Sequence, residues 1–418
     1  MTVIRAFTEF TQTRFASRWI ATVGALAVLF VVAASASAAG LSVSDENIKL
    51  KVGGRAHFDL NFLSADDDAK GTMVDGEPMG DPADGVEFRR LRYYMSGELY
   101  GIIDFKFQLD FAGGSASFKD AYMSLKNTPL GGAALTVGQF YQPFGLETQT
   151  SSNYMSFIER DQMTELHPDR QSGLMLSRSV GDDQGSVAVS TFRKSNSQGK
   201  SVGDANWNVA GRVTFLPMGD NTQKGLLHLG GAFALRDDAS GKVSVEGAAP
   251  SNFSPAINGG DLPFDSWTEF GGEAAFVKGP FSVQGELTML QTTAPEDTPG
   301  AEDQSVMSYY GMASYFLTGE SRAYKAASGT FNRVSPKENY DGQGGKGAVE
   351  LVARFSVLDM TDSSLAMGKN TAMTFGINWY LNKHSRVMIN AMRSEGTDTM
   401  GGIDGVVNAI VTRFQVDY

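Results

Sequence analysis

The sequence predicts an all-β protein, a transmembrane antiparallel β-barrel of about sixteen strands. Three observations carry this expectation. Stretches of strict apolar–polar alternation recur along the chain, their connections are short and long by turns, and the last strand ends on an aromatic residue.

The clearest alternation is 103–111. Ile103, Phe105, Phe107, Leu109 and Phe111 are large and apolar, whereas Asp104, Lys106, Gln108 and Asp110 are charged or amide-bearing. Only a strand separates these sets, because its successive side chains point to opposite faces. At about 3.3 Å per residue and a tilt of about 40°, such a stretch rises roughly 23 Å, close to the apolar height of an outer-membrane barrel wall. A sandwich strand alternates as cleanly, so recurrence decides. The pattern returns at 207–215, 281–289, 373–379 and 349–357, the last with Val352 as its one exception. Weaker matches begin near Leu50, Phe88, Ala121, Leu135, Leu174, Val187, Leu227, Phe270, Met307 and Val387.

The connections at Gly101, 278–280 and 381–384 are short, whereas 64–86, 237–266 and 292–305 are long, polar and rich in Gly, Pro and Asp. Outer-membrane barrels show short turns at one end and long loops at the other. The final strand places Ile410, Thr412, Phe414, Val416 and Tyr418 on one face and Arg413, Gln415 and Asp417 on the other. Its aromatic end suits a strand that closes against the first at an aromatic girdle.

The totals agree with this class. A chain of 418 residues with 42% hydrophobic and 20% charged residues is too polar for a bundle of membrane helices. It has no cysteine, which excludes disulfides, thiolate metal sites and cysteine nucleophiles within the chain. A net charge of −12 argues against nucleic acid as a partner. Residues 1–38 read as a cleaved signal peptide: Arg5, Arg14 and Arg18, an apolar run over 19–34, then Ala36-Ser37-Ala38. Residues 39–418 read as one barrel domain. Export, strand number and the charged polar faces put lipid outside and water inside, and the expected location is the bacterial outer membrane.

Strict alternation turns Arg90 and Arg92 toward the lumen, stacked about 7 Å apart. It also turns Lys106, Arg212, Arg236, Arg354, Arg386 and Arg413 inward. A guanidinium keeps its charge at any accessible pH and fits oxyanions with a planar fork, so this file could form an anion path. Glu98, Asp104, Asp110, Glu269, Glu273, Glu286, Glu350 and Asp417 are expected inside as well, and the plainer reading is a mixed charge set that solvates the lumen and cross-links strands. The segment 139–178 breaks the alternation and carries Glu159, Arg160, Asp161 and Arg170. It is either a loop folded into the lumen, where those charges would constrict it, or an external loop.

No other chemistry is apparent. The Asp66-Asp67-Asp68 run lacks the spacing of a calcium loop, and the four histidines are dispersed, so no metal site, catalytic group or cofactor is assigned. An outer-membrane hydrolase would need a nucleophile and base brought together.

Several stretches resemble the phosphate-selective porin O/P family: Phe88-Arg89-Arg90-Leu91-Arg92, Leu109-Asp110-Phe111-Ala112-Gly113, Lys119-Asp120-Ala121-Tyr122, Gly138-Gln139-Phe140 with Pro143-Phe144-Gly145-Leu146-Glu147, Phe157-Ile158-Glu159-Arg160, Leu317-Thr318-Gly319-Glu320-Ser321-Arg322 and the closing Arg413-Phe414-Gln415-Val416-Asp417-Tyr418. The resemblance implies a sixteen-stranded, trimeric outer-membrane porin with a lumen-folded third loop and basic residues guiding phosphate or related anions. It matches Arg89 and Arg90 to the family's paired arginines along the anion path, whereas alternation favours Arg90 with Arg92. The expected function is passive diffusion of small hydrophilic solutes, anions such as phosphate among them. The alternative is an occluded structural or adhesive barrel.

Overall fold

Each stretch of alternation forms a strand, and each strand pairs antiparallel with the next. The first half of the wall runs β1 (Ile48–Ala65), β2 (Gly85–Leu99), β3 (Ile103–Asp110), β4 (Ser117–Leu125), β5 (Ala134–Tyr141), β6 (Arg170–Val180), β7 (Gly185–Arg193) and β8 (Asn208–Asn221). The second runs β9 (Gly225–Arg236), β10 (Ser266–Lys278), β11 (Phe281–Thr293), β12 (Ser305–Phe316), β13 (Ala348–Asp359), β14 (Lys369–Asn382), β15 (Ser385–Thr397) and β16 (Gly405–Asp417). The structure, a computed structural model, describes residues 42–418 apart from 75–76, 204–205, 239–240, 249–250, 255, 296–301, 363–366 and 398–403. The expected signal peptide lies outside the described residues.

β16 pairs with β1, with Arg413 opposite Asp59, so the sixteen strands close and leave no free edge in the wall. Gly54 and Tyr418 exchange backbone hydrogen bonds of 3.1 Å each way, which brings the terminal aromatic into the seam. A Cβ on Gly54 would lie 2.7 Å from the backbone carbonyl oxygen of Arg92, so the close approach requires glycine there.

Exposure settles which face is which. Phe107, Met123, Val213, Phe270, Phe355 and Ile377 stand exposed on the outer surface, while Glu269, Glu350, Arg354 and Arg413 are buried inside. An apolar band outside and a polar interior are what a barrel in lipid requires. The wall is uneven in height: β3 and β5 have 8 residues each and β4 has 9, whereas β10, β11, β15 and β16 have 13.

One connection departs from the short-turn rule. Residues 317–347, between β12 and β13, leave the end of the barrel that also holds the chain terminus, where the other connections are short. This segment carries a small hairpin, Ala323–Lys325 with Thr330–Asn332, and turns inward. Phe331 packs against Leu146, Ala275 and Val277, and Arg212 on β8 donates to the Ser328 and Gly329 carbonyls. Its polar, glycine-rich composition disguises two aromatic anchors, Tyr324 and Phe331.

Candidate functional site

The interior is organised by the segment 142–169, which joins β5 to β6. It turns at Gly145, whose φ of +67° is left-handed and whose Cβ would meet the His167 ring at 2.6 Å. The short helix α1 (Leu146–Gln149) follows, and the Glu286 carboxylate on β11 accepts from its first two amides, Leu146 at 2.6 Å and Glu147 at 2.8 Å. A carboxylate there complements the positive helix start.

Beyond the helix the segment is fastened to the wall that faces its own strands. Asn378 on β14 donates to the Ser156 carbonyl, Asn390 on β15 accepts from the Ile158 amide at 2.8 Å, and Arg386 donates to the Met155 carbonyl at 2.7 Å. Gln162 and Asn370 bond each other at 2.8 Å. Apolar contacts assist: Phe157 and Met163 pack on Tyr310, Met312 and Val352, and Ile158 on Met388, Met392 and Val411. Val352, the exception in an otherwise alternating stretch, thus faces inward as part of a landing surface for the loop.

Most of the charges here are paired, whereas Arg386 meets Gln415, Tyr380 and the Met155 carbonyl. Arg354 sits 3.3 Å from the Glu147 carboxylate and 3.5 Å from that of Asp161. Arg212 bonds Glu273 at 2.7 Å, and Arg236 bonds Glu269 at 2.7 Å. Arg413 makes a two-pronged contact with Asp59 at 2.7 and 2.6 Å, and donates to the Ile158 carbonyl and to Glu159. Burial pushes the Asp161 carboxyl up to about 6. Burial acts on Glu159 in the same direction, but Arg90, Arg89 and Arg413 outweigh it and hold that carboxyl well below the usual range.

The paired arginines are explained by a bulge. His57 on β1 stands opposite Arg90 and Phe58 opposite Phe88, so Arg89 is an extra residue without a partner. The bulge lets both side chains reach one carboxylate: Arg89 Nε lies 3.1 Å from Glu159 Oε1, and Arg90 Nη2 lies 3.1 Å from Oε2. Arg92 also turns inward and bonds Asp110 at 2.7 Å. A second bulge sets Lys119 and Asp120 together opposite Gln108 alone.

Around that second bulge the cations outnumber the carboxylates. Lys106 and Arg170 share Asp120, at 2.5 and 2.7 Å. The Arg170 guanidinium lies 3.7 Å from the centre of the Tyr141 ring, with Arg160 5.5 Å from the same ring. Arg160 otherwise donates to the Glu147, Thr148 and Thr150 carbonyls. Arg55 on β1 stands directly opposite Arg92. It is 8% exposed, its hydrogen-bond partners are the Ser151 and Ser152 hydroxyls, and its Nε has none. Arg92 and Arg170 lie within reach of the field of Arg55 and of that of Lys119.

Sequence reasoning placed Arg89, Arg90, Arg92, Lys106, Arg212 and Arg354 on one path; the structure divides them. Arg89 and Arg90 join Glu159, Arg92 and Lys106 join the basic cluster, and Arg212 and Arg354 hold the two interior segments. Of the four residues expected in the loop, Glu159 meets the arginine pair, Asp161 meets Arg354 and Arg160 lies over Tyr141, whereas Arg170 is not in the loop but begins β6, opposite Tyr141 on β5, because the ladder between these strands extends to that pair. Arg55 and Lys119 were missed. Arg55 was legible in part, since Arg55, His57, Asp59 and Asn61 alternate with Ala56, Phe58, Leu60 and Phe62.

The profile of the family described as phosphate-selective porin O and P matches residues 51–418. The chain belongs to that family. Porin O of Pseudomonas aeruginosa is 28% identical, with 90% of each chain covered. An uncharacterised protein of Caulobacter vibrioides is also 28% identical, over 80% of this chain and 68% of its own. Among solved structures, an anion-selective porin from Comamonas acidovorans superposes with a TM-score of 0.57 at 13% identity, covering 89% of this chain and 100% of that one. The outer membrane channel DcaP of Acinetobacter baumannii gives 0.52 at 11%, covering 90% and 99%. These likenesses show the porin fold, and with the family they make this an outer-membrane channel.

One titratable group of the porin's interior loop makes a stability prediction. His167 is buried, with Nδ1 2.8 Å from the Thr148 hydroxyl and Nε2 2.8 Å from that of Thr288. Burial pushes its imidazole down from 6.5 to about 3. Between those values the unfolded chain binds a proton that the folded chain refuses, so stability declines as pH falls, by about 1.4 kcal/mol per pH unit. His167→Gln is expected to flatten this decline in urea unfolding series at pH values between 3 and 6.5. An unchanged slope would assign the acid sensitivity elsewhere.

Proposed function

We propose that this porin conducts small oxyanions, phosphate among them, along the cluster of Arg55, Arg92, Lys106, Lys119, Arg160 and Arg170. One observation carries the reading: these six cations gather near two buried carboxylates, Asp110 and Asp120, with the exposed Asp169 4.0 Å from Arg170, while elsewhere Arg212, Arg236, Arg354 and Arg413 are each paired with a buried acid. An excess of positive charge in a narrow wet lumen favours anions over cations, and partly satisfied guanidiniums can replace some of an anion's hydration without trapping it. Arg89 and Arg90 would flank the route, and Arg212 and Arg354 would support it by fixing the segments that shape it. Glu159, Arg160, Asp161 and Arg170 would set the constriction. Conduction alters no covalent bond, so the reading is of a channel and not of an enzyme.

The remaining features complete the proposal. Residues 1–38 act as a signal peptide cleaved after Ala38, leaving 39–418 as the membrane domain. The low wall over β3 to β5 suits a contact with further copies of the chain, and a homotrimer would shield it from lipid.

The test is the reversal potential of the purified protein in a planar bilayer across a potassium chloride gradient, followed by phosphate titration of the chloride current. The expected result is anion preference with reduction of the current by phosphate. Cation preference would overturn the reading. A second reading, the occluded barrel, is favoured by the two segments that enter the interior from opposite ends, and it predicts no conductance.

A further inference from the structure

The two bulges give different surroundings to their charges. At the Lys119 bulge cations are in excess, whereas at the Arg89 bulge the arginines already hold an anion, and it belongs to the protein. The Glu159 carboxylate receives Arg89 at 3.1 and 3.3 Å, Arg90 at 3.4 and 3.1 Å, and Arg413 at 2.7 Å. Three guanidiniums thus converge on two oxygens, with planar forks of the kind that recognise phosphate or carboxylate. Arg89 retains 29% side-chain exposure and Glu159 12%, so the group is reachable from the water of the interior.

We propose that Glu159 is a tethered competitor, occupying an oxyanion seat formed by Arg89, Arg90 and Arg413 and so limiting how tightly the channel holds the anions it passes. The inference rests on the anion-channel reading and adds a residue that tunes it. A seat of three arginines left open to a permeating oxyanion would bind it strongly and slow its release; a carboxylate on a fixed loop fills the seat reversibly. The backbone around Glu159 is held without its carboxylate: Asn390 takes the Ile158 amide, Arg354 donates to the Glu159 carbonyl at 3.3 Å, and Arg413 donates to the Ile158 carbonyl. Removing the charge therefore leaves the three guanidiniums without their counter-ion and does not release the loop.

The experiment compares wild type, Glu159→Gln and Glu159→Ala in planar bilayers, titrating the chloride current with inorganic phosphate. Both variants are expected to reach half reduction of the current at a phosphate concentration lower by roughly tenfold or more, with longer dwell times. Adding Arg89→Ala and Arg90→Ala to Glu159→Ala is expected to abolish the gain. An unchanged half-reduction concentration in Glu159→Gln, with anion-selective wild type, would overturn the competitor role and leave the channel reading in place. A cation-selective wild type would remove both. If Glu159→Ala alters the unitary chloride current by shifting the loop, Glu159→Gln, which keeps the shape, decides the matter.

Discussion

Replacing Arg413 by methionine is expected to cost about 3–5 kcal/mol of barrel stability, because it strands buried carboxylates that have lost their counter-ion. Arg413 is 1% exposed and stands opposite Asp59 where the first and last strands close. Its fork grips Asp59, also 1% exposed, and the same guanidinium reaches Glu159 and the Ile158 carbonyl. The substitution thus removes a link across the seam and a fastening of the interior loop together. The measurement is the urea midpoint of the detergent-solubilised or liposome-embedded protein, with the heat-dependent gel shift as a second readout. Asp59→Asn together with Arg413→Met should recover part of the loss, since the pair is worth less than the penalty for breaking it. A loss below about 1 kcal/mol would mean that water reaches the pair and screens it as at a surface.

Removing the two facing guanidiniums of the basic cluster, Arg55→Ala with Arg92→Ala, is expected to lower the anion-to-cation permeability ratio by roughly five- to thirtyfold. A unit charge a few ångströms from a permeating ion in water is worth about 1 kcal/mol, and this change removes two of them. Asp110 loses its partner at the same time and adds repulsion. The double variant Arg212→Ala with Arg354→Ala provides the contrast, since it removes the same charge from pairs that anchor segments. Its expected effect falls on stability and unitary current more than on selectivity. Equal loss of selectivity in both pairs would show that total interior charge matters and that the cluster has no special standing.

The sixteen strands were legible because lipid and water impose period two on every one of them, and no tertiary preference competes with that. The closing strand was legible for the same reason. What alternation could not see were its own interruptions. Arg89 looked outward-facing by parity, and a bulge that adds one residue to β2 turned it inward beside Arg90. Lys119 was hidden in the same way. Val352 registered only as a flaw in the pattern, although an apolar residue on a polar face is the mark of a surface covered from inside; Met312, Met388 and Val411 carry the same mark. The segment 317–347 escaped notice because its anchors are two aromatics in a polar stretch, and Arg55 because its importance depends on which charges lie across the strand pair.

The bulge at Arg89 also bears on how such a pore can change by insertion and deletion. Within a strand, losing one residue ordinarily exchanges every side chain beyond it between lipid and water. Excising Arg89 would instead leave Arg90 opposite His57 and Phe88 opposite Phe58, an unbroken ladder with one inward charge fewer. Excising Lys119 would do the same against Gln108. At these two positions a single codon can be gained or lost in reading frame, and the pore's charge moves by one unit while its lipid coat stays intact.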